Sequence, residues 1–152
     1  EDKADLVGGK VPAAQLPEPP AVPTKATGAE LRAGADDAKF LTPKSVSDAA
    51  AYGTTPWAAS LALDLSIPAQ IVVLGGHTTL TAPTNAKPGV SARVLLKQPA
   101  SGGPFTVSYN TAYAFFGSTP AASTAANAVD LLVLDPETAT KVSAVLQKGR
   151  AA

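Results

Sequence analysis

Between Leu74 and Gly89 the chain reads LGGHTTLTAPTNAKPG, and no other stretch limits its fold so tightly. Gly75 and Gly76 free the backbone to take positive φ, while Pro83, Pro88 and Gly89 are residues that stop a strand ladder. A short alternating segment, His77 to Thr81, lies between these two turn signals and follows the apolar run Ile71 to Leu74. The pattern predicts a crossing between two β hairpins, and the rest of the chain can be placed around it.

Period-2 alternation recurs on both sides. Leu61, Leu63 and Leu65 alternate with Ala62, Asp64 and Ser66, and Pro68 separates them from Ala69 to Leu74. Val90, Ala92, Val94 and Leu96 alternate with Ser91, Arg93, Leu95 and Lys97, and Pro99 to Pro104 is a turn cluster. Phe105, Val107 and Tyr109 share one face, and Asn110-Thr111 suits a tight turn into Ala112 to Phe116. Gly117 to Ala126 is small and polar and reads as a loop. Val129 to Leu134 is apolar at both parities, which predicts a central strand covered on both faces. Asp135-Pro136-Glu137-Thr138 fits a type I turn, followed by a last strand from Lys141 to Gln147. Six or more short strands at this spacing predict a mainly β fold, an antiparallel sandwich or barrel-like module.

The N-terminal third has a different character. From Glu1 to Leu41 the large apolar residues follow neither a 3.6 nor a 2 period, and prolines crowd between Pro12 and Pro23. Pro17-Glu18-Pro19-Pro20 favours polyproline II, as a stiff linker or a PxxP ligand, and no basic flank accompanies it. Ordering such a coreless arm costs about 1–2 kcal/mol per residue, so it is expected to lie against other subunits, with Leu6, Val7, Val11 and Leu16 as anchors. Thr42-Pro43 starts a helix, Thr42 as cap and Pro43 at the first position, and Gly53 is its expected end. Its narrow apolar side, Val46, Ala49, Ala50 and Tyr52, is expected to pack between subunits. The expected domains are an arm over 1–41, a connector over 42–53, a β domain over 54–148 and a tail over 149–152.

The 152 residues suffice for one core and an appendage. Net charge is zero and neither sign is concentrated, so there is no electrostatic footprint for nucleic acid or an anionic membrane. No apolar run approaches the roughly 18 residues of a membrane helix. Cysteine is absent, which excludes disulfides, thiolate metal sites and thiol nucleophiles. Methionine is absent too, so Glu1 is expected to begin a processed chain or part of a longer one.

Catalytic signals are sparse. His77 is the single histidine and reads as a turn or surface residue; no metal site and no cofactor are expected. Asp36-Asp37 and Asp135 with Glu137 are close carboxylates of the kind that mark turns, which leaves Asp64 and Asp130 as the pair a polysaccharide depolymerase would need. Either is equally readable as a satisfied carboxylate at a strand end. An enzyme is not expected. As a carbohydrate-binding surface, Trp57 and Tyr113 are the candidates for exposed stacking because both adjoin turns.

Two tracts carry a family resemblance. Asp36-Asp37-Ala38-Lys39-Phe40-Leu41-Thr42-Pro43-Lys44-Ser45-Val46 resembles the DDxKFxTPKxV tract that joins shaft to module in tail fibres of tailed bacteriophages and related virion proteins. Leu74 to Gly89, with Ser123-Thr124-Ala125-Ala126-Asn127-Ala128-Val129-Asp130, is similar to a β module of such fibres reading LGGNRTLxxPTNxKxG and then STAANAVDxL. The chain departs from that pattern at His77-Thr78 and in the strand Leu131 to Leu134, which lacks the module's usual tyrosines. The resemblance implies a homotrimeric, non-enzymatic virion component. Its N-terminal arm would attach it to other virion proteins, and its β module would face a host-surface polysaccharide, with Trp57, His77 and Tyr113 as contacts. A head fibre, spike or decoration protein on the capsid is the alternative placement, and a gene-transfer particle would use the same part.

Overall fold

The computed structural model describes residues 22–33 and 39–149. Leu6, Val7, Val11 and Leu16, the expected arm anchors, lie outside the described residues. Two short helices precede nine strands: α1 (Gly28–Ala33), α2 (Pro43–Ala50), β1 (Gly53–Thr54), β2 (Ser60–Leu61), β3 (Ala69–Val73), β4 (Thr78–Leu80), β5 (Ala92–Lys97), β6 (Val107–Tyr109), β7 (Tyr113–Phe115), β8 (Val129–Pro136) and β9 (Val142–Gln147). The expected mainly β architecture is present.

Its winding differs from uniform antiparallel pairing. Strands β1 to β6 alternate between a six-stranded sheet ordered β1-β3-β5-β8-β9-β7 and a three-stranded sheet ordered β2-β4-β6. Every neighbouring pair among these six strands is parallel: β1 with β3 and β3 with β5 in the larger sheet, β2 with β4 and β4 with β6 in the smaller. The chain thus winds as a coil, each turn adding one strand to each sheet, and a parallel bridge from Asp64 to Thr84 marks a third side. Antiparallel pairing is confined to β5 with β8 and β8 with β9, after which β7 closes the edge parallel to β9.

Several local expectations change with this winding. Leu74 to Gly89 crosses between parallel strands rather than between hairpins, and Thr78–Leu80 within it is a strand of the smaller sheet. Leu61, Leu63 and Leu65 do share a buried side, but only Ser60–Leu61 joins a ladder, because the chain then turns the corner at Asp64. Asn110 makes a corner between sheets, its Oδ1 accepting from the Ala112 N–H at 2.9 Å. Strand β8 runs on through Asp135-Pro136, so the turn falls one step later, where the Glu137 and Thr138 N–H groups donate to the Lys141 carbonyl. Central in its sheet as expected, β8 buries one face fully, while Leu131 and Val133 on the other are half-buried.

One core joins both sheets. Leu63, Leu74, Leu80, Leu132 and Leu134 are fully buried within it, and each such side chain contributes about 1.5–3 kcal/mol relative to exposure. Buried polar side chains tie the corners. Gln70 donates to the Asp64 and Ile67 carbonyls at 2.7 and 3.0 Å and accepts from the Thr55 hydroxyl at 2.8 Å. Gln98 donates to the Phe105 and Ser123 carbonyls and accepts from the Phe105 N–H. Both amides meet the rule that buried polar groups be paired.

The helix pair has its own logic. Thr42 and Ser45 form a reciprocal capping box, at 3.1 and 2.9 Å, with Pro43 at the helix start. Helix α2 ends at Ala50, short of the expected Gly53, because Gly53 is already extended and paired with Gln70. The arm expected to be extended through Leu41 contains α1, which Thr27-Gly28-Ala29-Glu30 begins with a second capping box: the Thr27 N–H donates to Glu30 Oε2 at 2.8 Å and the Glu30 N–H to Thr27 Oγ1 at 3.2 Å. A side chain at Gly28 would place its Cβ 2.7 Å from that of Asp48, so glycine is what lets α1 approach α2.

Candidate functional site

Side chains alternate across a strand, so the smaller sheet turns Leu61, Leu80 and Val107 inward and the residues between them outward. Register sets Ser60, Thr79 and Ser108 side by side on the exposed face, in adjacent strands about 4.8 Å apart. Thr79 and Ser108 share a hydrogen bond of 2.9 Å. One step earlier on the same face, His77 sits opposite Thr106: its Nδ1 lies 2.9 Å from Thr106 Oγ1 and accepts the Thr106 N–H at 3.1 Å. With Nδ1 accepting, the proton of the neutral ring belongs on Nε2. The Phe105 ring meets the imidazole edge-on at 5.9 Å.

Trp57 is held by the inward-facing Thr78 rather than by this face. Its indole N–H donates to Thr78 Oγ1 at 2.7 Å, and its ring lies over Gly75 and Gly76, where an added Cβ on Gly76 would come within 2.6 Å of it. Neither glycine adopts positive φ, so their role is to admit the ring rather than to bend the backbone. The ring remains 39% exposed. His77 therefore lies on the outward face, while Trp57 is anchored to the inward-facing Thr78.

Tyr113 is 6% exposed, and this overturns the expectation of a stacking role. It packs edge-on against Tyr109, with ring centroids 6.1 Å apart, and Tyr109 against Phe115 at 4.8 Å. Neither phenol oxygen has a hydrogen-bond partner among the described residues. Burial pushes the Tyr109 hydroxyl up to about 12, helped by the Asp130 charge, and raises Tyr113 as well, with Tyr109 adding to the effect. Both are core residues at the corner between sheets.

The two candidate carboxylates share no partner. Asp130 is 2% exposed; one oxygen accepts the Ser123 N–H at 2.6 Å and the other the Gly149 N–H at 2.8 Å. This is the satisfied strand-end carboxylate. Burial works to raise Asp64, but hydrogen bonds from Asn85 and from the Ser66 hydroxyl and N–H outweigh it and hold its carboxyl below the usual range. It ties the corner between Ser66 and Asn85 at 2.7 to 2.9 Å. Among the described residues no group of three or more His, Cys, Asp or Glu is placed to hold a metal, and no helix is long and apolar enough to cross a membrane.

Chemically the face is flat, uncharged and rich in groups that both donate and accept. The Thr106 hydroxyl beside His77 has the spacing of a nucleophile and base, yet Nδ1 already accepts a backbone N–H and, among the described residues, no carboxylate hydrogen-bonds to the ring. No protein-family model, curated protein or solved structure matches the chain.

The connector residues are brought together differently. Val46 and Tyr52 are 49% and 45% exposed, and Val46, Ala49 and Ala50 line a groove facing the β domain. Tyr52 lies beyond the end of α2, on the extended link to β1. Sequence reading missed the row Ser60, Thr79 and Ser108, since only the parallel register brings those residues together.

Proposed function

We propose that the chain is a structural component of a virion, a homotrimeric fibre of a tailed phage or phage-like particle, without catalytic activity. Its arm attaches to the particle, and its smaller sheet faces the host surface. One observation carries this reading: of the ten large hydrophobic side chains left exposed among the described residues, Val22, Phe40, Leu41, Val46 and Tyr52 all precede the β domain, three in the arm and two in the connector. A connector that leaves its apolar residues in water is built to be covered by neighbours, and like copies are the economical cover. The DDxKFxTPKxV-like tract, Asp36 to Val46, spans the junction of arm and connector, which supports placing the trimer contact there. The face holding Ser60, Thr79, Ser108 and His77 suits hydrogen bonding to a cell-surface polysaccharide, and the exposed part of the Trp57 ring offers a stacking surface.

Sedimentation equilibrium of the purified full chain at micromolar concentration tests the assembly. A species of three chain masses is expected, and a monomer would overturn the fibre reading. Adsorption of the protein to host cells tests the face: Thr79→Ala with Trp57→Ala is expected to weaken it, and unchanged adsorption would leave a purely structural role.

A further inference from the structure

Strand β8 is apolar at both parities, yet the core takes up only one of its faces. Strands that read as continuous apolar runs are those covered on both sides. The outward side chains of the larger sheet extend the uncovered face over four neighbouring strands: Ile71 and Val73 from β3, Leu95 from β5, Leu131 and Val133 from β8, and Val145 from β9. Register aligns Ile71, Leu95 and Leu131 in one row and Val133 and Val145 in the next. Val73 and Val145 are 48% and 45% exposed, and the two helices pack on each other rather than across this face.

The charges on the face select what can cover it. Lys97 stands at one end, paired with Val129, and Asp135 at the opposite end of β8. Asp135 lies six residues along β8 from Val129, so at about 3.3 Å per residue the two charges are roughly 20 Å apart and cannot meet within one chain. Lys97 forms no ion pair among the described residues, and Asp135 accepts there only from the Ser91 hydroxyl. Opposite charges at opposite ends of one apolar face make that face complementary to itself when it is turned end for end.

We infer that the outer face of the larger sheet is a pairing surface for a second copy of this chain. The copy lies face to face with its strands reversed, so that the Lys97 end of each covers the Asp135 end of the other and the apolar rows meet between them. A two-fold arrangement forms each such contact twice, and packed sheets stand about 10 Å apart, within the joint reach of a lysine and an aspartate. Arg93, in the Val133 row, lays its stem on the copy's Leu95, a use of arginine common at interfaces. Four strands about 4.8 Å apart and six residues long give on the order of 400 Å² per copy, small for an interface, so the pairing is weak and appears well above micromolar concentration. It is separate from the connector contact and doubles whatever unit that contact holds.

Sedimentation equilibrium of the full chain, carried from micromolar to millimolar concentration, reads both contacts: the mass at the dilute end reports the connector assembly and its doubling reports this face, so either can fail alone. Doubling is expected, and a mass that never rises overturns the inference. Lys97→Glu and Asp135→Lys are each expected to weaken the doubling severalfold, and the two together to restore it, since the double reversal rebuilds both pairs. Doubling indifferent to the single reversals overturns the inference. A second measurement does not depend on the charges. Chains carrying Leu131→Cys are mixed with chains carrying Val133→Cys and treated with a short bis-maleimide, no native cysteine competing. Reversed packing faces these two positions, so the mixed crosslink is expected to form faster than either like-with-like product. Equal rates overturn the inference, as does crosslinking that stays at the level of a denatured control.

Discussion

The connector and the β domain, joined at Gly53, solve the problem of burial in opposite ways. The β domain encloses its leucines between two sheets and pairs its backbone in continuous ladders, so its stability rests on its own long-range contacts. The segment before Gly53, helix α1 with the connector, relies on local devices, two capping boxes and the close approach at Gly28, and carries half of the exposed large hydrophobics among the described residues. The difference teaches that one region buries a core of large apolar side chains by itself and the other leaves its own exposed.

The widest gap between the two should appear in truncations of apolar residues. Leu132→Ala, at the centre of β8, is expected to cost the β domain about 2–5 kcal/mol in a urea titration. Leu41→Ala, 58% exposed, should change that transition by less than about 0.5 kcal/mol, yet raise the dissociation constant of the oligomer. A comparable loss at both positions would erase the contrast.

Gly76→Ala pushes a methyl into the Trp57 ring, and a forced contact of this kind costs about 1–3 kcal/mol. Because Trp57 is the single tryptophan, its emission should shift to the red as the ring is displaced while the rest of the β domain stays folded. Thr42→Ala removes the α2 cap at about 1 kcal/mol. That loss should appear as faster hydrogen exchange in α2 alone, with β8 amides unchanged, and faster exchange throughout would argue for a single cooperative unit.

The smallest effect is set by acid. The Glu30 carboxyl is pulled from 4.5 to about 2, first by the Lys39 ammonium and then by the Thr27 N–H and hydroxyl. A carboxylate depressed on folding adds stability above its ordinary value and loses it as pH falls through the folded one. Protection of α1 should therefore be constant above about pH 4.5 and decline towards pH 2, and since the Glu30 side chain remains in contact with solvent the change is small. Glu30→Gln should flatten that decline.

Much of this division was readable in the residues, because local chemistry wrote it. The alternation of Ala92, Val94 and Leu96, the Thr42-Pro43 start and the patternless arm each depend on neighbours within a few positions. The parallel winding was not readable. A period-2 strand looks the same whichever direction its partner runs, and only the return of Gly53 to Gln70 and of Ala69 to Arg93 distinguishes a coil from hairpins. Tyr113 was misjudged for the same reason: next to a turn in sequence, it lies beneath a corner between sheets in space. Helix α1 had a legible signal in Thr27-x-x-Glu30, obscured by the surrounding proline-rich composition.

The first turn of the coil has a consequence for how the protein coexists with copies of itself. Parallel sheets that end in open strands are templates for endless stacking, with each new chain extending the last. Here β1 and β2 offer only two ladder residues apiece, and Pro56, lacking an N–H to donate, stands between them. So little unpaired backbone guides no incoming strand. The coil is thereby closed at its first turn against extension by another chain's strand.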